Sequence, residues 1–208
     1  AGADAELKAS LQARPTDTAA AGAKPTQAQL DAVLYPWRPW PLGPASADLQ
    51  AINLAAFAPQ LPTTLLDGQL RFDQASAELI AQADQLAPRP AAAGDAGDTG
   101  EAAPQGALAA LAASGPWALQ VQLHNAQAGP WDRQRLPLDR LNATALWQGQ
   151  RLTLLPGATL ELGQGRLQAQ GRYQLDSRQL DARAELHQLR PALIDSRFES
   201  NPLSGSAS

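Results

Sequence analysis

Arg166-Leu167-Gln168-Ala169-Gln170-Gly171-Arg172-Tyr173-Gln174-Leu175 puts every apolar or small residue at one parity and every polar residue at the other. Successive side chains of an extended chain point to opposite faces, so this stretch is a β-strand with one apolar and one wet face. A 3.6-residue helix would spread both classes around its circumference. Asp176-Ser177-Arg178-Gln179 supplies turn chemistry, and the alternation resumes with Leu180, Ala182, Ala184 and Leu186 against Asp181, Arg183, Glu185 and His187. Two such runs joined by a short polar turn make an antiparallel hairpin.

The same period extends upstream. Trp117, Leu119, Val121 and Leu123 alternate with Ala118, Gln120, Gln122 and His124, and further apolar sets follow at Leu141-Ala143-Ala145-Trp147, Leu152-Leu154 and Ala158-Leu160-Leu162. Together these predict about six strands over the last ninety residues, joined by Gly, Pro, Asn and Asp turns, in an antiparallel meander. An earlier strand-like region starts near Asp48, bends at Phe57 and Pro59, turns at Asp67-Gly68 and continues with Leu70 and Phe72 against Gln69, Arg71 and Asp73. The expected fold is mostly β: an antiparallel meander forming a twisted, curved sheet with an apolar inner face, plus short helices and disordered Ala/Pro/Gly-rich segments.

The rest of the chain divides around these strands. Residues 1–26 read as a flexible tail, with a brief helix over Ala5 to Ala13. Thr26 precedes Gln29 by three residues, a capping-box spacing that predicts a short helix over 27–34 opening the first β repeat, 27–86. The prolines of Tyr35-Pro36-Trp37-Arg38-Pro39-Trp40-Pro41 forbid regular helix and predict an extended connector. Residues 87–116 read as a linker or insertion, with a helix of one or two turns at Leu108 to Ala113 ended by Gly115-Pro116. The second β repeat is 117–208. Leu54 to Pro59 followed by Leu66-Asp67-Gly68 recurs as Leu186 to Pro191 followed by Leu203-Ser204-Gly205, a strand end, a proline corner and a Leu-x-Gly opening of the next strand. Two copies point to an array. The start at Ala1 and the end within a patterned segment read as a piece of a longer protein.

Composition excludes several function classes. Lys and Arg number 16 against 20 Asp and Glu, without a block of either sign, so the basic field that nucleic acid requires is missing. With no cysteine, disulfides, thiolate metal sites and cysteine nucleophiles are excluded. No run approaches the roughly 18 apolar residues of a membrane-spanning helix. His124 and His187 occupy polar phases of separate strands without a His or Cys at ligand spacing and read as solvated. Asp195-Ser196 lacks a Gly-x-Ser-x-Gly elbow. Gly163-Gln164-Gly165 leads into strand rather than helix and reads as a hairpin turn, not a phosphate loop. Asn142-Ala143-Thr144 matches a glycosylation acceptor but falls within a strand. Trp37 and Trp40 read as a corner of the fold or as a membrane or partner contact, and Trp117, Trp131 and Trp147 as core or rim. No catalytic residue, metal or cofactor is expected. Aromatics are 5% of the chain, and many apolar-phase positions are Ala or Gly, which suits a smooth apolar surface better than a sandwich core.

Leu160 through Gly171, Leu186 through Leu193 and Pro202-Leu203-Ser204-Gly205 give the chain a resemblance to the AsmA-like superfamily, and within it to the TamB (translocation and assembly module) proteins of Gram-negative envelopes. The resemblance covers 117–208 and, more loosely, 48–72. It implies a long β-taco in the periplasm, anchored in the inner membrane by a segment outside this chain, supporting phospholipid transport or outer-membrane protein assembly. The implied partners are phospholipid acyl chains and an Omp85-type outer-membrane barrel. The implied apolar groove maps onto Leu160, Leu162, Leu167, Ala169, Tyr173, Leu175, Leu180, Ala182 and Leu186, and no catalytic residues carry over. Two other readings stand beside it: an adhesin-type structural repeat with no lipid role, and an outer-membrane barrel, for which the chain has too few aromatic residues.

Overall fold

The computed structural model describes residues 6–14, 26–86, 110–111 and 113–208. Ten strands pair strictly in sequence order into one curved, open antiparallel sheet. They are β1 (Leu7–Ala13), β2 (Gln27–Leu34), β3 (Leu42–Ile52), β4 (Leu66–Gln74), β5 (Trp117–Asn125), β6 (Arg140–Gln148), β7 (Arg151–Leu162), β8 (Gly165–Gln174), β9 (Gln179–Leu189) and β10 (Leu203–Ala207). The helix α1 (Ala77–Gln85) follows β4. Leu66–Gln74 of β4 pairs residue for residue with Asn125–Trp117 of β5, so the two expected β repeats share one sheet.

Three expectations are corrected. Gln27–Leu34 is strand rather than helix, and so is Leu7–Ala13, which was expected as tail with a brief helix. In both, Ala and Leu occupy alternate positions: Leu7, Ala9, Leu11 and Ala13 pair with Leu34, Ala32, Leu30 and Ala28. Alanine favours a helix intrinsically, but the period of two decides once a neighbouring strand offers a ladder. The Thr26 hydroxyl, expected as a helix cap, instead donates to the Ala51 carbonyl at 3.1 Å and ties the start of β2 to the end of β3. The runs at Leu152-Leu154 and Ala158-Leu162 are one strand, β7, whose register slips between Leu154 and Ala158. Pro156 and Gly157, with Gly157 at φ 94°, fill that bulge, where a missing amide donor and a left-handed residue are tolerated.

The expected linker, 87–116, lies mostly outside the described residues. Ala110, Leu111 and Ala113 are helical, as expected, and Gly115 and Pro116 lead into β5. The helix α1 was not expected. Ser76 caps it by accepting from the Leu79 amide at 3.4 Å, and Glu78 sits in its first turn, complementing the positive end of the helix dipole.

The side of the sheet on which α1 lies determines where the core sits. The apolar phase of the ten strands faces one way, yet α1 packs on the opposite, polar-phase side against β6 and β7. There Ala118, Leu146 and Leu155 interrupt the polar pattern, and Ala83, Leu79, Ile80 and Ala75 close over them. Leu146 and Leu155, at 0% and 1% exposure, are among the most deeply buried side chains. We expect Leu146→Ala, which empties this contact, to cost about 2–5 kcal/mol in chemical denaturation. Leu167→Ala on the unpacked face should cost less than half as much.

Candidate apolar binding face

The ladders carry apolar residues across the whole sheet. One row runs through Ala13, Ala28, Leu49, Gly68, Leu123, Leu141, Leu160, Leu167, Leu186 and Gly205, one residue from each strand, with every neighbour directly paired. Nine steps of about 4.8 Å make it about 43 Å long. Gly68 interrupts the leucines because a side chain there would run into the backbone carbonyl of Gln122 on β5.

Eight of the nine residues expected to line the apolar surface lie on this face. Leu160 and Leu162 are on β7, Leu167, Ala169 and Tyr173 on β8, and Leu180, Ala182 and Leu186 on β9. Leu167 pairs with both Leu160 and Leu186, Tyr173 with Leu152 and Leu180, and Ala169 with Ala158 and Ala184. Leu175 follows β8 and donates its amide to the Gln150 carbonyl at 2.9 Å, so it joins the turn at the strand ends. The expected groove did not extend to the same face on β1 and β2, where alanine hid the period, or to β3 to β6, whose alternation was legible from Leu70 to Trp147 without being assigned to the groove.

This face is partly exposed through its middle, whereas Leu66, Trp117 and Ala158, also on it, are buried at 6%, 4% and 7% exposure. Leu119 is 39% exposed in mid-sheet, and Leu11 and Leu180 are 63% and 71% exposed toward its two sides. Surface hollows open beside polar-phase side chains and, at the Trp117 end, between Tyr35, Trp40, Leu42 and Trp117. One of about 500 Å³ over β1 to β4 is bordered by Ser10, Asp31, Ser46, Arg71 and Asp73. The apolar face is thus half-exposed through its middle.

The opposite face is laced with charge. Glu161 lies between Arg140 and Arg166, with N···O distances of 3.7 and 2.9 Å, and Arg172 meets Asp181 at 2.9 Å. Exposed pairs of this kind contribute little stability, and they hold this side in water. Both histidines stand on it: the ring of His124 lies 3.1 Å from the Asp139 carbonyl, and His187 lies 3.8 Å from Glu185. Among the described residues no group of three His, Cys, Asp or Glu is arranged to hold a metal. Asp195 and Ser196 do not face a histidine. Asp195 pairs with Arg197, which holds its carboxyl down at about 2. The Ser196 hydroxyl donates to Asp132.

Three long connections close one end of the sheet: 53–65, 126–139 and 190–202. Each contains a short 3₁₀ turn, at Leu54–Ala56, Trp131–Arg133 and Pro191–Leu193. Thr63 donates its amide to the Gln134 carbonyl at 2.7 Å, and Trp131 donates to the Ile194 carbonyl at 2.8 Å, so the three loops form a continuous border. Buried polar side chains satisfy the backbone behind it. Thr64 bridges Ile52 and Leu54, and the Asn125 carboxamide oxygen accepts from Leu65 at 3.0 Å and Gln127 at 3.2 Å. Phe57, Leu61, Trp131 and Phe198 stand exposed on these loops, and Trp37 is exposed on the β2–β3 connection at the other end. At that end Trp117 is buried and stacks on Phe72 with ring centroids 4.8 Å apart.

No helix among the described residues is long and apolar enough to cross a membrane. No protein-family model, curated protein or solved structure matches the chain.

The tie between two border loops has a pH signature. The Ser196 hydroxyl and amide hold the Asp132 carboxyl below its ordinary value of 3.8. The contact is therefore complete above pH about 4 and is lost as pH falls through the depressed value. In a carboxyl NMR titration we expect Ser196→Ala to raise the Asp132 midpoint toward the ordinary value, and an unchanged midpoint would refute the tie.

Proposed function

We propose that this chain is a segment of a cell-envelope translocation and assembly protein of the TamB and AsmA-like kind, and that its apolar face carries phospholipid acyl chains. The observation that carries the reading is the continuous apolar row from Ala13 to Gly205, five of whose members on consecutive strands β5 to β9 are half-exposed leucines. Its five leucines are each still partly exposed, so an occupant that covered them would gain about 25 cal/mol for every Å² of that apolar area taken from water. Monomeric soluble proteins rarely leave an apolar surface of this extent in water. An acyl chain suits it because the row offers no charge and no hydrogen-bonding side chain to orient a polar ligand. Its small members, Ala13, Ala28, Gly68 and Gly205, leave the surface smooth, so a chain can slide along it. The charged ladder opposite suits the aqueous periplasm. In this reading the membrane anchor lies outside the chain, and an Omp85-type barrel receives either lipid or client protein at the outer membrane.

Native mass spectrometry with lipid extraction, on protein purified from Gram-negative cells, tests the reading. Wild type should carry phospholipid. A variant with both Leu167→Asp and Leu186→Asp, folded by circular dichroism, should lose at least about 90% of it, since each charge sits in the middle of the leucine row. A lipid-free wild type, or a charged variant that keeps its lipid, would reject the proposal in favour of a structural repeat whose apolar face meets protein.

A further inference from the structure

The hollow at the Trp117 end is built from three pieces. The β2–β3 connection is a closed loop: the Tyr35 amide donates to the Pro41 carbonyl at 2.7 Å and the Arg38 amide to the Tyr35 carbonyl at 3.0 Å, while Pro36, Pro39 and Pro41 restrict its backbone. Tyr35 lies flush on Gly43, where a side chain would run into its ring. Across from the loop, Trp117 is held by its stack on Phe72 and by donating Nε1–H to the Ser114 hydroxyl at 2.7 Å, and that hydroxyl donates in turn to the Leu111 carbonyl. Asp73 of β4 is the third piece. The space between them is about 210 Å³, below the roughly 300–1,000 Å³ of sites that take drug-sized ligands, so it suits a small polar group and not a whole lipid.

One donor in this lining is unsatisfied. The Trp40 indole nitrogen is buried and finds no acceptor among the described residues, although a buried indole N–H ordinarily has one. Charge narrows the chemistry further. Arg38, 4.1 Å over the Tyr35 ring, and Asp73 place one positive and one negative group in the lining. A plain anion would meet Asp73 and a plain cation would meet Arg38, so the lining selects a ligand that carries both charges.

We propose that this hollow binds a zwitterionic phosphoethanolamine headgroup, whose phosphate accepts from Trp40 Nε1–H in the field of Arg38 and whose ammonium pairs with Asp73 beside the aromatic rings. It rests on the lipid reading above for the source of the headgroup, and adds where on the molecule a lipid is held. Trp117 belongs both to the hollow and to the apolar face, where it opens the ladder row Trp117, Trp147, Leu152, Tyr173 and Leu180. Trp147 also buries an indole nitrogen without an acceptor among the described residues, and the ester oxygens behind a headgroup supply one. From Trp117 to Leu123 in the leucine row is six residues along β5, about 20 Å, so tails leaving the hollow run along the strands to the leucines.

Vesicles of equimolar phosphatidylethanolamine and phosphatidylglycerol, with native mass spectrometry of the chain, test this. Wild type should capture phosphatidylethanolamine in excess. Trp40→Phe keeps a ring and removes the N–H, and should weaken that capture by about tenfold, the worth of one hydrogen bond to a charged group. Asp73→Asn should abolish the preference while total lipid is retained. Capture without preference, or a preference that both variants keep, overturns the proposal and leaves the lipid reading standing. Where wild type captures no lipid, soluble glycerophosphoethanolamine separates the two: a shift of the Trp40 indole N–H resonance that glycerophosphoglycerol does not produce keeps the hollow as a headgroup site while the lipid reading falls, and no shift overturns both.

Discussion

Everything in this protein hangs on the backbone ladder between one strand and the next in sequence. Each strand pairs with the next in sequence, and the helix packs chiefly on β6 and β7, with Ala118 of β5 beside them. A β-sandwich is held by side chains interdigitating between two sheets, but here a single layer is held by hydrogen bonds along its length and by the small core under α1. Because pairing is between sequence neighbours, each strand inherits the face assignment of the one before it. A strand slipped by one residue would carry its leucines to the charged side, so the alternation guards the register.

This arrangement explains why much of the fold was legible in the sequence. Where polar residues are Arg, Gln and Glu and apolar ones are Leu and Tyr, as in β8 and β9, the period of two is unmistakable, and the meander and eight of the nine expected apolar residues follow from it. Where the small members of the pattern are alanines, as in Leu7–Ala13 and Gln27–Leu34, the same period coexists with high helix propensity. A window of seven or eight residues does not separate the two without knowing that a partner strand lies alongside. Asn53, Thr64 and Asn125 were illegible for another reason. Their value is in the loop amides and carbonyls they satisfy across up to 60 positions of sequence, and spacing carries no trace of that.

The unexpected helix teaches a related lesson. The break in alternation after Gln74, the Ser76 cap and the triplet Leu79, Ile80 and Ala83 form a helical signal. Its docking site was written on the sheet as well: Ala118 and Leu146 fall in the polar phase of their strands, where a solvated face would carry charge. Read together, an apolar exception on a wet face and a nearby amphipathic turn of helix identify each other. The protein therefore places one cluster of its core, under α1, on the side that the pattern marks as polar, while Leu66, Trp117 and Ala158 are buried on the side that it marks as apolar.

Strict sequence-order pairing also makes the sheet a modular ruler. Adding or deleting one hairpin lengthens or shortens the apolar row by two strands, about 9.6 Å, while keeping the direction and facing of every remaining strand. Deleting one strand would leave the next running the wrong way for its neighbour. Length is thus free to vary in hairpin quanta, with little penalty to the rest of the molecule, since stability in such an array is close to a sum over adjacent pairs. The span covered by the leucine row is accordingly a heritable quantity, set by the number of hairpins rather than by any individual side chain.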